Sequence, residues 1–227
     1  MEDSIGDSVG KYFDLIVGTS TGGIIALGLG LGFTAQEIAA LYEELGGKVF
    51  AGNRSVRRTL RQLLFAKYSD QPLKEALEAK FGPKRLGESA TRLVIPALDL
   101  DTGGVHIFKT SHHWRFARDY KEKAVDVALA TSAGPTFFPT HRLLTGKPLV
   151  DGGLFANNPV GLAVVEAIGV LEWPKESIKV LSLGCTSTPL KVGWGRRLAL
   201  GFGYLGGKIV DVFMATQSEG RTKAVGK

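Results

Sequence analysis

Apolar positions along the chain alternate between short continuous runs and helical repeats. Phe13-Asp14-Leu15-Ile16-Val17 reads as a short buried strand stopping at Gly18, and 21–31 as a helix packed closely through its glycines. Thr34-Ala35-Gln36-Glu37 has capping-box spacing, an apolar repeat continues to Leu45, and Gly46-Gly47 is expected to end that helix. Further helices are predicted over 55–65 and 72–81, the second stopped by Gly82. Strands are predicted over 92–98 and 105–109, joined as a hairpin by Asp101-Thr102-Gly103-Gly104. A helix over 125–132 and a strand over 148–150 follow. Pro159 suits the first position of a helix to about Leu171. The pattern closes with a strand over 179–183 and a helix over 208–217. Strands alternating with helices predict an α/β layered domain with a mostly parallel sheet.

The 227 residues fit a single domain, and 44% hydrophobic against 22% charged residues exclude a disordered chain. No apolar run approaches the ~20 residues of a membrane span. The acidic start Met1-Glu2-Asp3 lacks the basic region of a signal peptide. A cytoplasmic protein, peripheral at membranes, is expected. The lone Cys185 excludes an internal disulfide and reads as a buried filler. A net charge of +6 calls for an anionic partner, whether nucleic acid, phospholipid headgroup or acyl-CoA. No nucleic-acid-binding module is recognisable, so nucleic acid is not expected as a partner.

Gly18-Thr19-Ser20-Thr21-Gly22 matches G-x-S-x-G, a weak signal alone in a chain with 30 glycines. Its context strengthens it, because a predicted strand ends at Val17 and a predicted helix begins near Thr21. Such a turn lifts the serine oxygen clear of the sheet and sets helix N-terminal N–H groups beside it, where an oxyanion would form. Gly18, Thr21 and Gly22 are therefore candidate elbow and oxyanion residues. A serine nucleophile needs a base. Asp151, at a predicted strand end before Gly152-Gly153, is the best acidic candidate, and no histidine follows it. The order serine, acid, histidine cannot be completed. Either His106, His112, His113 or His141 serves, or the carboxylate is itself the base.

Other clusters carry plainer readings. Arg54, Arg57, Arg58 and Arg61 fall on one face of a predicted helix, with Val56, Leu60, Leu63 and Leu64 on another. That face suits an anionic membrane or ligand, and equally a solvated surface. Asp99 and Asp101 read as hairpin turn residues rather than metal ligands, and His112-His113-Trp114 as surface or pocket rim.

Four blocks in order resemble the patatin-like phospholipase family. These are Phe13 to Gly23 around Ser20, the segment Ala130-Thr131-Ser132-Ala133-Gly134-Pro135, the run Asp151 to Pro159, and Val180-Leu181-Ser182-Leu183-Gly184. In the second block Gly134 stands where the family carries alanine. The resemblance implies a three-layer α/β/α fold in one domain spanning 1–227. It further implies a Ser20–Asp151 dyad without histidine, acting as nucleophile and general base on acyl-lipid esters through an acyl-enzyme. No metal or organic cofactor is implied. Gly152, Gly153, Asn157 and Asn158 are implied to support the Asp loop.

The middle of the chain is most similar to bacterial members, some of them effectors switched on by cyclic nucleotides. The family's D-G-G-G-x-R-G oxyanion loop precedes the nucleophile, and this sequence does not contain it. A domain truncated at its N-terminus, and at its C-terminus too, is therefore expected. The alternative reading is a catalytically silent scaffold with a ligand or oligomer surface.

Overall fold

The computed structural model describes residues 2–49 and 68–184. The predicted helices over 55–65 and 208–217, the arginines Arg54, Arg57, Arg58 and Arg61, and Cys185 lie outside the described residues.

Two short helices, α1 (Glu2–Ile5) and α2 (Val9–Tyr12), lead into strand β1 (Leu15–Val17). Helices α3 (Thr21–Gly30), α4 (Ala35–Val49) and α5 (Gln71–Phe81) follow. Next come the hairpin β2 (Arg92–Asp99) and β3 (Val105–Lys109), helix α6 (Ala124–Ser132), and strands β4 (His141–Arg142) and β5 (Pro148–Asp151). A one-turn helix α7 (Gly153–Ala156) and helix α8 (Val160–Gly169) follow.

The capping box forms as its spacing predicts. Thr34 N–H donates to Glu37 Oε2 at 2.8 Å, and Glu37 N–H donates to Thr34 Oγ1 at 3.2 Å. The helix that follows does not stop at Gly46-Gly47 but runs to Val49. Glycine ends a helix by taking a positive φ, and neither of these residues does so. In helical φ each costs only about 1 kcal/mol. Gly82, by contrast, caps α5 at φ 56° as expected.

The α/β class holds, but the sheet is mixed rather than mostly parallel. Among the described strands β1 pairs parallel with β2, while β2–β3, β2–β5 and β4–β5 are antiparallel. The reason lies in the connections. The neighbours β1 and β2 are joined by a long helical crossover; β2 and β3 are joined by a tight turn, with Gly103 at φ 66°, and β5 returns beside β2 in the opposite sense. The predicted strand over 179–183 is also absent, because it pairs with no described strand and so forms no ladder. Val180, Leu181 and Leu183 are exposed there, Leu183 at 86%.

Strand β2 is the centre of the molecule and is buried on both faces. Leu93, Ile95 and Ala97 enter the main core with Ile24 and Leu27 of α3, Leu77 and Phe81 of α5, and Val125, Val127 and Leu129 around α6. The opposite face carries Val94 and Pro96, with α7 packed against β2 and α8 against β1. Helices thus cover both faces, as the α/β/α expectation requires.

The capping box offers a first quantitative check. Thr34→Ala removes the side-chain acceptor for the Glu37 N–H and should lower unfolding free energy by about 1 kcal/mol in urea titration. Thr34→Ser should stay close to the parent.

Candidate active site

Register places β1 and β5 on the same edge of β2. Val94 pairs with Val17 and with Lys109, and Leu98 pairs with Val150 and with Val105. Since β3 takes one edge along its whole length, β1 and β5 must share the other. They run toward each other, because β1 is parallel to β2 and β5 is antiparallel. Val17 stops opposite Val94, and Asp151 stops opposite Ala97. The two chain ends therefore face across the short gap at Ile95 and Pro96.

Ser20 and Asp151, 131 positions apart, meet in that gap: Ser20 Oγ donates to Asp151 Oδ2 at 2.6 Å. Ser20 is the N-cap residue of α3 with φ 57° and ψ −125°, outside the usual regions for an L-residue. This is the sharp strand-to-helix turn that the motif predicts. A methyl at Gly18 would collide with the Gly22 carbonyl, which explains the first glycine. Gly22 itself faces open space, so its glycine is not demanded by packing. The close approach falls one residue later: a Cβ at Gly23 would lie 2.7 Å from Thr131 Cγ2.

Backbone donors at the elbow are mostly taken. Gly22 N–H donates to the Thr19 carbonyl, and Gly23 and Ile24 both donate to the Ser20 carbonyl. Ser20 N–H donates to Thr131 Oγ1 at 3.0 Å. Among the described residues no acceptor meets the Thr21 N–H, at the positive end of α3. Tyr42 of α4 donates its hydroxyl to the Thr21 carbonyl at 3.0 Å, pinning that first turn.

Asp151 is 3% exposed. Its Oδ1 accepts the Gly153 N–H at 2.7 Å, its own N–H donates to the Ala133 carbonyl at 3.0 Å, and among the described residues no cation neutralises it. Burial pushes its carboxyl up to about 6, against the opposing pull of the hydrogen bonds from Ser20 and Gly153. Gly152 fits tightly over the Pro96 carbonyl, where a Cβ would collide. Asn157 ends α7, and Asn158 Oδ1 accepts the Val160 N–H at 3.2 Å at the start of α8. A Cβ at Gly134 would meet Asp151 Oδ2 at 3.6 Å, an ordinary contact, so an alanine would fit here.

The histidines lie elsewhere. His106 sits 3.6 Å from Asp119, and burial holds it below its usual range. His141 Nε2 is 3.2 Å from Asp126, and His113 Nδ1 accepts from the Arg115 backbone and side chain. His112 is buried rather than on a rim, bonded to Glu166 at 2.8 Å and to Thr110 at 2.7 Å. Trp114 beside it is 84% exposed. Asp99 Oδ1 accepts the Asp101 N–H in the hairpin turn, as read from the sequence. None of these side chains bonds to Ser20 or Asp151 among the described contacts.

Residues that sequence reasoning missed are Pro96, Thr131 and Gly23. Thr131 lay inside a recognised block, yet nothing in its spacing marked it as the partner of the serine backbone.

Residues 4–164 match the family model described as patatin-like phospholipase. A protein of Pseudomonas aeruginosa named cGAMP-activated phospholipase is 38% identical over 96% of this chain and 65% of its own length. Proteins of the same name from Vibrio cholerae and Escherichia coli are 34% and 41% identical, covering 94% and 70% of this chain. The chain spans 65% of the Vibrio relative and 45% of the Escherichia one. Among the described residues no helix is long and apolar enough to cross a membrane.

Two consequences can be measured. Gly18→Ala should cost about 1–3 kcal/mol through backbone collision. Gly22→Ala should stay within about 1 kcal/mol of the parent. Asp151 should also set a pH dependence. Below about pH 3.8 it is protonated folded and unfolded alike. As pH rises from there through about 6, the folded state holds the extra proton and stability falls. Above that the ionised carboxylate costs about 3 kcal/mol. Asp151→Asn should therefore melt higher than the parent at pH 8, with the difference vanishing near pH 4.

Proposed function

We propose, since the chain belongs to the patatin-like phospholipase family, that it is a serine lipid acyl hydrolase acting through Ser20 and Asp151. The observation that carries this reading is the 2.6 Å hydrogen bond from Ser20 Oγ to a buried carboxylate with no cation beside it among the described residues.

In the proposed reaction Ser20 Oγ attacks the ester carbonyl carbon while its proton passes to Asp151 Oδ2. The tetrahedral oxyanion forms near the Thr21 N–H, where the dipole of α3 favours negative charge. Collapse breaks the ester C–O bond, and the leaving alcohol oxygen takes the proton back from Asp151. That leaves the acyl group on Ser20. A water then gives a proton to Asp151 and attacks the acyl carbonyl. Collapse frees the fatty acid, and the proton returns to Ser20. Asp151 thus acts as base and acid in turn, and a carboxyl raised to about 6 suits both roles near neutral pH.

The substrate class is a phospholipid or another acyl lipid. Peripheral contact with a membrane belongs to this reading, and the basic residues Arg54, Arg57, Arg58 and Arg61 are candidates for it. Because the bacterial relatives are named cGAMP-activated, that dinucleotide is an activator to test on this chain.

The test is active-site labelling with a fluorescent fluorophosphonate, with and without the dinucleotide. Label should attach to the parent, vanish in Ser20→Ala, and fall at least 100-fold in rate in Asp151→Asn. Its rate should rise with pH through an acid limb near 6, where Asp151 loses its proton. A folded parent that takes no label under either condition would sink the hydrolase reading in favour of a silent scaffold.

A further inference from the structure

The nucleophile elbow is held by a side chain outside the dyad. Thr131, near the end of α6, is fully buried at 0% exposure. Its hydroxyl donates to the Pro96 carbonyl at 2.7 Å and accepts the Ser20 N–H at 3.0 Å. The polarity of this relay is forced. A carbonyl can only accept, so the Thr131 proton must go to Pro96, and a lone pair is left for the serine amide. Pro96 brings no N–H of its own to the gap between β1 and β5.

The rest of the surroundings fixes Thr131 in that role. Its methyl lies where a Cβ on Gly23 would stand, against the first turn of α3. The branched side chain has little rotamer freedom to begin with. The same segment also governs the other half of the pair. Two residues on, the Ala133 carbonyl accepts the Asp151 N–H at 3.0 Å. One turn of chain at the end of α6 therefore carries a contact to the serine backbone and a contact to the aspartate backbone.

We propose that Thr131 is a positioning residue, which holds Ser20 in its strained backbone conformation and so keeps Oγ directed at Asp151. The proposal rests on the reading of Ser20 and Asp151 as the reacting pair. It assigns a cost to the relay as well as a benefit. The Ser20 N–H is committed to Thr131 and cannot donate to an oxyanion, which leaves the Thr21 N–H as the available donor at the elbow.

Two variants and two readouts test it. Thr131→Val keeps shape and volume but leaves the Ser20 N–H and the Pro96 carbonyl without a partner. Thr131→Ser keeps the relay and loses only the methyl. With the fluorophosphonate, Thr131→Val should lower the maximal labelling rate about 100-fold, with little change in the concentration giving half that rate. Thr131→Ser should recover to within a few-fold of the parent. Independently of activity, the Ser20 amide should be protected from hydrogen exchange in the parent and in Thr131→Ser, and lose protection in Thr131→Val.

A folded Thr131→Val that labels at the parent rate overturns the proposal. So does a Thr131→Ser that fails to recover while both variants lose equal thermal stability, since that marks a merely structural residue. If the parent itself takes no label, the hydrolase reading fails. The exchange readout still decides the relay: unchanged protection of Ser20 in Thr131→Val overturns it.

Discussion

The candidate site depends on two strands meeting head-on along one edge of β2. A parallel β1 and an antiparallel β5 end opposite Val94 and Ala97, so the residues just past each end face one another across a gap of two positions. Gaps in a sheet leave backbone groups without ladder partners, which is costly when buried. Here the residue facing the gap is Pro96, which has no N–H to orphan, and its carbonyl takes the Thr131 hydroxyl. A proline in the middle of a central strand usually argues against the strand. At this position its missing donor suits the place where one neighbour has stopped and the next has not begun.

Two buried carboxylates in this protein show how surroundings decide what an acid can do. Glu166 on α8 is as deeply buried as Asp151, but Lys109 reaches it at 2.5 Å and His112 at 2.8 Å. Burial alone would raise its carboxyl; the hydrogen bonds from His112 and Lys109 outweigh that and hold it below the usual range. The result is a compensated ion cluster tying α8 to the end of β3. Among the described residues Asp151 receives a hydroxyl and one amide and no cation, so burial prevails and its carboxyl rises. Comparable exposure thus yields a fixed charge in one place and a group that can exchange a proton near neutral pH in the other.

Local signals read correctly from the sequence are those whose physics is local. The Thr34–Glu37 capping box, the Gly82 stop and the Asp101 to Gly104 hairpin each need only a few adjacent residues, and each is found where expected. The absence of a histidine after Asp151 left the base open, the resemblance to the patatin-like blocks implied the pairing of Ser20 with Asp151, and the two side chains do lie in hydrogen-bond contact. Properties set by distant partners were not legible. Strand direction depends on how β5 returns to β2, and the apolar run at Val180 to Leu183 indicates a need for burial without naming a neighbour. Gly46 and Gly47 looked like a stop because composition does not reveal φ. Thr131 was invisible for the same reason that it matters: its partners, Ser20 and Pro96, are 111 and 35 positions away.

In the proposed reaction, which uses no histidine, one carboxylate accepts a proton from serine and from water, and returns it each time. At an ordinary carboxyl value near 3.8 it would be fully ionised at pH 7 but would take those protons against a steep gradient. Raised to about 6, it remains roughly nine-tenths ionised at pH 7 and is a stronger base by about two units. The same burial that makes this possible removes stability, because folding must then hold an uncompensated charge. A nearby lysine would relieve that cost and would pull the carboxyl back down, as it does at Glu166. Within the proposed reaction, the lack of a cation beside Asp151 among the described residues therefore trades stability for proton-transfer capacity, and the cost falls on the fold.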